Sequence, residues 1–229
     1  MTDNYKKDLY DFLSGFITDQ RKKKFEEVIR LRSRYVTVAV EDVYQPHNAS
    51  AVLRSAECFG VQDVHIIENK NKYKPSEDIS LGSHKWLSLQ RHSKAEDNTT
   101  ACINELRKNG YRIIATTPHK DDCLVSELDL TKGKVALFFG TEIDGVSQTI
   151  LKAADEFVKI PMFGFTESFN ISVSAAICMY ELMQRLRSSE VNWQLSEEEM
   201  IEIKLEWAKE SVRSSDLLEE EFRKSKGMG

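Results

Sequence analysis

Apolar positions along this chain recur with two different periods, and the two periods alternate. In the first segment Leu9, Phe12, Leu13, Phe16 and Ile17 fall at helical spacing. Beyond Gly15, Thr18 or Asp19 can cap a second helix whose apolar side is Phe25, Val28 and Ile29. From Tyr35 the pattern changes. YVTVAV, residues 35–40, is short, β-branched and uncharged, as a strand buried on both faces must be. EDVYQPHN then leads to a helix with Asn48 as its expected cap, Ala49, Val52, Leu53 and Ala56 as its buried stripe, and Gly60 as its end. Further strands are predicted at VHII (64–67), YRIIAT (111–116), KVALFFG (134–140) and EFVKI, which ends at Ile160. Helices are predicted over 95–109 and from Ser147. Alternating strands and helices imply an α/β fold with a mostly parallel sheet.

Residues 171–187, ISVSAAICMYELMQRLR, form the strongest predicted helix. Its first half is apolar or small on nearly every side, so one face can cover the sheet and the other calls for a second cover, most simply a partner subunit. Residues 196–226 read as a charged helix or pair of helices, with Met200, Ile203, Trp207, Leu217, Leu218 and Phe222 able to pack on the body. The expected organisation is a basic helical extension over 1–33, a central domain over 34–188 and a charged helical extension over 189–229.

Charge sharpens this division. The formal net charge is −5, and residues 190–229 alone hold 11 acidic and 6 basic side chains. Residues 1–35 hold 9 basic and 6 acidic ones. That balance argues against indiscriminate nucleic-acid binding and leaves room for a local basic face. Arg21, Lys22, Lys23, Lys24, Arg30, Arg32 and Arg34 are the candidates, either as a solvated helix face or as phosphate contacts. No apolar run approaches the length of a membrane span and the first residues lack a signal-peptide core, so a soluble cytoplasmic protein is expected. Cys58, Cys102, Cys123 and Cys178 show no metal-ligand spacing, so reduced thiols are expected and no metal.

Three segments carry candidate chemistry: PHNASAVLRSAECFGV (46–61), FFGTEIDGVS (138–147) and IPMFGFTESFN (160–170). In the first, Arg54 lies off the apolar stripe with Glu57 three residues on; a surface ion pair would explain it as well as a functional role. GTEIDG follows a buried strand and so sits at the carboxyl end of the sheet, where ligand sites of such folds gather. Its two glycines suit a tight turn and also let backbone approach a ligand. The third segment is a loop so apolar that it is expected to be buried or to line a pocket, and Ser168 or Asn170 can cap the helix after it. Neither GxGxxG nor a P-loop sequence is present.

Taken in order, these segments resemble the three motifs of the SpoU family of RNA 2'-O-ribose methyltransferases, across residues 34–188. Asn48, Arg54 and the following FG are similar to the first motif, GTEIDG to the second, and IPM…ESFN with its small-residue helix to the third; Phe169 stands where leucine is usual. The PHN start and the block LGSHKW (81–86) resemble the branch acting on tRNA guanosine 18. The resemblance implies a C-terminal trefoil knot, a homodimer, S-adenosylmethionine as methyl donor, and a cofactor pocket lined by Thr116, Gly140, Ile160 and Phe169. It implies catalytic roles for Arg54, Asn48, Glu142, Ser168 and Asn170. A guanidinium effectively never deprotonates, so Arg54 is better read as a fixed positive charge for a phosphate and a developing alkoxide than as a base. Methylation of another RNA site (ribosomal RNA or an anticodon loop), or RNA binding without catalysis, are the alternatives.

Overall fold

The computed structural model describes residues 3–73, 80–118, 123–141 and 144–227. The chain divides into two compact units, one of residues 33–193 and one that joins residues 1–32 to residues 194–229. The second unit draws on both ends of the chain.

The larger unit is built on seven strands: β1 (Val36–Glu41), β2 (Asp63–Ile67), β3 (Ser88–His92), β4 (Tyr111–Thr116), β5 (Cys123–Leu124), β6 (Lys134–Phe139) and β7 (Glu156–Lys159). They form one sheet in the order β3-β2-β1-β6-β4-β7-β5, with every pairing parallel. Side-chain alternation explains why the central strands are apolar throughout. Val38 and Val40 of β1, with Val135, Leu137 and Phe139 of β6, face one layer. Ala39, Ala136 and Phe138 face the other.

The helices of this unit supply both layers. α3 (Pro46–Phe59) and α6 (Ile171–Arg187) bury Val52, Leu53, Ala56, Cys178, Leu182 and Met183 on the first face. α4 (Asn98–Lys108) and α5 (Gln148–Ala153) bury Cys102, Ile103, Leu106 and Ile150 on the second. α3 starts earlier than its apolar stripe suggests. Pro46 opens it, where a missing N–H costs nothing, and Gln45 is the N-cap, so Asn48 lies inside the first turn and is not the cap. Gly60 ends the helix at φ 81°.

The smaller unit contains α1 (Asp3–Ser14), α2 (Asp19–Ile29), α7 (Glu197–Ser211) and α8 (Ser215–Ser225). Thr18 caps α2, and Ser196 with Glu199 forms a capping box on α7. Leu9, Leu13, Phe25, Ile29, Trp207 and Phe222 are buried, with ring centroids of Phe25 and Trp207 at 5.3 Å and of Phe12 and Phe222 at 5.2 Å. Charges of the tail meet opposite charges at the other end of the chain: Lys6 pairs with Glu202 at 3.0 Å and Lys226 with Asp8 at 2.8 Å.

Arg32 does not belong to an exposed basic face. It is 1% exposed, with its guanidinium over the Trp207 ring at 5.6 Å. Arg34, in the larger unit, is only half-buried but is engaged by Asp63 at 3.3 Å. Arg21, Lys23, Lys24 and Arg30 are exposed and Lys22 is half-buried. The i,i+3 pairs Lys22–Asp19 and Lys24–Glu27, at 3.3 and 3.9 Å, are loose surface contacts of the kind that contribute little.

Candidate active site

A cavity of about 440 Å³ opens at the carboxyl ends of β6, β4 and β7. Thr116, Gly140, Ile160 and Phe169 all line it, as does Ser168. The remaining wall comes, among others, from Asp144, Val146 and Met162, which stand in the candidate segments, and from Thr117, Ser174 and Cys178, which were not named as site residues. Ser174 and Cys178 follow one another at i,i+4 on α6, so this spacing from Asn170 onward was the available signal.

Each wall has a local cause. After β6 the chain makes a tight turn whose neck is closed by Thr141 N–H donating to Gly145 O (2.9 Å) and Gly145 N–H donating to Thr141 O (3.1 Å). The Thr141 hydroxyl accepts from Asp144 N–H at 3.0 Å. A Cβ at position 140 would lie 1.8 Å from the Gly145 carbonyl oxygen, so only glycine fits there, and Gly145 itself has φ 67°. Glu142 lies outside the described residues. Thr116 ends β4 and its hydroxyl donates to Phe138 O at 2.8 Å, which ties β4 to β6 under the cavity floor.

The third wall is the 161–170 loop. Met162 is partly covered, but Phe163 and Phe165 project fully into solvent and Phe169 is 42% exposed. The loop is thus not buried. It gives Met162, Glu167, Ser168 and Phe169 to the cavity and turns two phenylalanines outward. Asn170 then caps α6: its Oδ1 accepts from Ser172 N–H at 2.8 Å and from the Ser172 hydroxyl at 2.6 Å. Its Nδ2 donates to Asn48 Oδ1 at 3.1 Å. Asn48 is buried and Asn170 exposed, so this contact joins the first motif to the third at the margin of the core.

Arg54 is not drawn into the cavity. It is exposed, and no hydrogen bond or ion pair joins it to another described residue, Glu57 included. Six residues of α-helix put it about 9 Å along the axis from Asn48 and about 120° around. It is free to meet a substrate that reaches across α3.

Two cysteines and two histidines lie deep in the unit. Cys178 is buried, and burial pushes its thiol up to about 12, so it is a neutral apolar wall rather than a nucleophile. His65, His92 and Cys102 bring three metal-type ligand atoms within 4.8 Å of one another. The imidazoles, however, are nearly coplanar (18°), with centroids 5.3 Å apart and His65 Nδ1 3.0 Å from His92 Nε2. The two nitrogens therefore point at each other along the line of centres, the geometry of an N–H···N hydrogen bond. Burial, and then the neighbouring His92, hold His65 down at about 3.

Residues 35–180 match the SpoU rRNA Methylase family. A tRNA (guanosine(18)-2'-O)-methyltransferase of Borreliella burgdorferi is 42% identical over 207 residues, covering 90% of this chain and 93% of that protein. The enzyme of the same name from Aquifex aeolicus is 34% identical, over 86% of this chain and 92% of that one. Among solved structures, the A. aeolicus TrmH/SpoU tRNA modifying enzyme superposes with a TM-score of 0.74 at 34% identity, covering 86% of this chain and 98% of that one. The cavity is lined by the segments that carry the second and third motifs, and the match spans the whole parallel sheet: the chain belongs to the SpoU methylase family.

Proposed function

We propose that the protein transfers a methyl group from S-adenosylmethionine to the ribose 2'-hydroxyl of guanosine 18 in tRNA. The observation that carries this is the meeting of the second and third motif segments around one cavity at the carboxyl edge of the sheet, with the first segment tied to the third where Asn170 donates to Asn48. Relatives over most of the chain's length that bear the guanosine-18 name support the choice of target.

The residues present fit the methyl donor. The cavity has the size of a small-molecule site. Its walls are apolar at Ile160, Met162 and Leu151, and the carboxyl groups of Asp144 and Glu167 at its edge suit a positively charged ligand. Gly140 and Gly145 keep backbone within reach of it. Bound there, S-adenosylmethionine supplies a methyl group already activated on a positive sulfur.

What the chain must add is alignment and help for a weakly acidic hydroxyl. Arg54, exposed on α3, is suited to bind a phosphate of the RNA and to stabilise negative charge growing on the ribose oxygen. Asn48 and Asn170 hold each other and fix the start of α3 against the start of α6. Ser168, at the cavity, and Glu142 complete the set that orients the ribose. The reading takes the exposed Arg21, Lys23, Lys24 and Arg30 and the half-buried Lys22 as phosphate contacts, which strengthen binding and carry no sequence information.

The reading includes a homodimer. On α6, Val173 and Tyr180 are exposed and Ile177 is half-exposed, an apolar stripe at helical spacing that the chain leaves uncovered. It includes the family's trefoil knot, for which the insertion of β6 between β1 and β4 is the supporting feature. It also includes a cytoplasmic site of action, where tRNA resides; no helix among the described residues is long and apolar enough to cross a membrane. Mapping ribose methylation in cellular tRNA with and without the gene tests the target. Loss of the guanosine 18 methyl group on deletion is expected, and its persistence would overturn the assignment.

A further inference from the structure

The turn that forms one wall of the cavity has hydrogen bonds of its own, but they are internal: Thr141 to Gly145 in both directions, and Asp144 to Thr141. Among the described residues, its tie to a neighbouring strand is made by Ser147. Ser147 N–H donates to Glu41 Oε2 at 3.1 Å and the Ser147 hydroxyl donates to Glu41 Oε1 at 2.9 Å. Ser147 also caps α5, its hydroxyl accepting from Ile150 N–H at 3.4 Å. One serine thus fixes both the end of the turn and the start of the helix that follows.

Glu41 is an unusual residue for its place. It is the last residue of β1, whose other five positions are apolar or threonine, and it is 4% exposed. A carboxyl group buried at the end of a core strand is unfavourable unless donors surround it. Three donors do, and each comes from outside β1. Besides the two from Ser147, the Thr99 hydroxyl at the start of α4 donates to Oε1 at 2.5 Å. Thr99 in turn accepts from Asn69 Nδ2 at 2.8 Å, in the loop after β2. An apolar side chain would complete β1 as well as Val40 does. It could not hold the cavity turn.

We propose that Glu41 is a positioning residue for methyl transfer: it holds the 140–147 turn, and with it one wall of the cavity, in the shape that receives the methyl donor. It touches neither the cavity nor the reacting atoms; it acts through Ser147. The inference rests on the reading that this cavity holds S-adenosylmethionine. Without the tie, the closed turn can pivot on its connection to β6, and a ligand must then restore its position as it binds. A hydrogen bond to a charged or strongly polar buried group is worth enough that losing one of these contacts should weaken the donor about tenfold, and losing all of them more.

The test uses the full-length protein. Glu41→Gln keeps the shape but sets an amide N–H against a donor; Ser147→Ala removes the hydroxyl and leaves the backbone N–H; Ser147→Thr restores a hydroxyl. S-adenosylmethionine affinity is measured by calorimetry, steady-state constants by methyl incorporation into tRNA, and amide exchange by mass spectrometry with and without the ligand. Expected results are a tenfold or greater loss of donor affinity in Glu41→Gln and Ser147→Ala, an unchanged KM for tRNA, faster exchange confined to residues 141–147, and recovery of affinity in Ser147→Thr. Wild-type donor affinity in both Glu41→Gln and Ser147→Ala would overturn the proposal. So would faster exchange spread evenly over the sheet with unchanged affinity, because that is the signature of a residue that only stabilises the fold. If S-adenosylmethionine fails to protect amides of residues 139–147 in the wild-type protein, the cavity assignment itself is wrong, and that result is separate from the behaviour of the variants.

Discussion

Gly140→Ala asks the cavity turn to accept a methyl group where there is no space. The new Cβ would lie 1.8 Å from the Gly145 oxygen, 2.1 Å from its carbonyl carbon and 2.3 Å from Val146 N. All three are backbone atoms, so no side-chain rotation relieves the clash and the turn must open. Opening sacrifices the two hydrogen bonds between Thr141 and Gly145. At about 0.5–1.5 kcal/mol each, they amount to about 1–3 kcal/mol. Held closed, the turn would instead carry a methyl overpacked against backbone that cannot yield, at about 3 kcal/mol, the upper end for overpacking. A ligand that needs the closed turn must supply the excess of this over the cost of opening, up to about 2 kcal/mol, which is an affinity loss of up to roughly 30-fold. The sheet beneath is held by parallel pairing of β6 with both β1 and β4, so the fold should survive. Each kcal/mol lost shifts the Tm of a chain this size by about 2–4 °C. Titration calorimetry with S-adenosylmethionine, alongside scanning calorimetry, reads both quantities. Near-wild-type affinity in a folded Gly140→Ala protein would refute the reasoning, since the turn would then be irrelevant to the ligand.

Arg54→Ala should keep donor affinity, because Arg54 does not line the cavity, and lose about 100- to 1,000-fold in methyl transfer; a near-wild-type rate would remove it from the mechanism. Arg54→Lys should recover only part of the rate, because an ammonium cannot bridge phosphate and ribose as a planar fork can. His65 is held at about 3 in the fold against about 6.5 for a free imidazole, so the unfolded chain takes up more protons between those values and stability falls as pH drops from 6.5 toward 3. Urea midpoints measured across that window should fall less steeply for His65→Gln, and an identical slope would discount the pair. Val173→Asp, on the exposed stripe of α6, should leave the subunit folded and shift sedimentation toward monomer, whereas a wild-type monomer at micromolar concentration would dismiss the dimer. Changing Lys22, Lys23 and Lys24 together to Ala should weaken tRNA binding and flatten its salt dependence without altering donor affinity; unchanged salt slopes would make this cluster a solvated face.

The parts of the fold that repeat a local period were legible. β4 occupies the expected 111–116 and α6 the expected 171–187, because burial on a sheet or beneath a helix imposes a pattern on every few residues. β3, Ser88–His92, was not legible: its residues are polar or half-exposed, as an edge strand's can be, so no alternation marks it. β5 is too short, at two residues, to carry a pattern at all. The joining of α1 and α2 with α7 and α8 depends on contacts between opposite ends of the chain, which local spacing does not record. Arg32 reads like its basic neighbours, and only the position of the Trp207 ring reveals it as buried.

The cavity follows the same rule. Thr116, Gly140, Ile160 and Phe169 were reachable because each stands at a motif position at the end of a strand or the start of a helix. Asn48 looked like a cap and is instead the partner of Asn170, a pairing across 122 positions that no local signal contains. Glu41 sits beside the first motif segment in plain view, yet its importance lies in Ser147 and Thr99, one far along the chain and one on another helix.

The most direct measurement combines purified protein, methyl-labelled S-adenosylmethionine and an unmodified tRNA transcript, followed by nuclease digestion and mass spectrometry of the labelled fragment. One methyl group on the ribose of guanosine 18 is expected, with none incorporated when that nucleotide is supplied as its 2'-deoxy form. A labelled base, a labelled ribose elsewhere in the tRNA, or no labelling by protein that binds S-adenosylmethionine would contradict the proposed function.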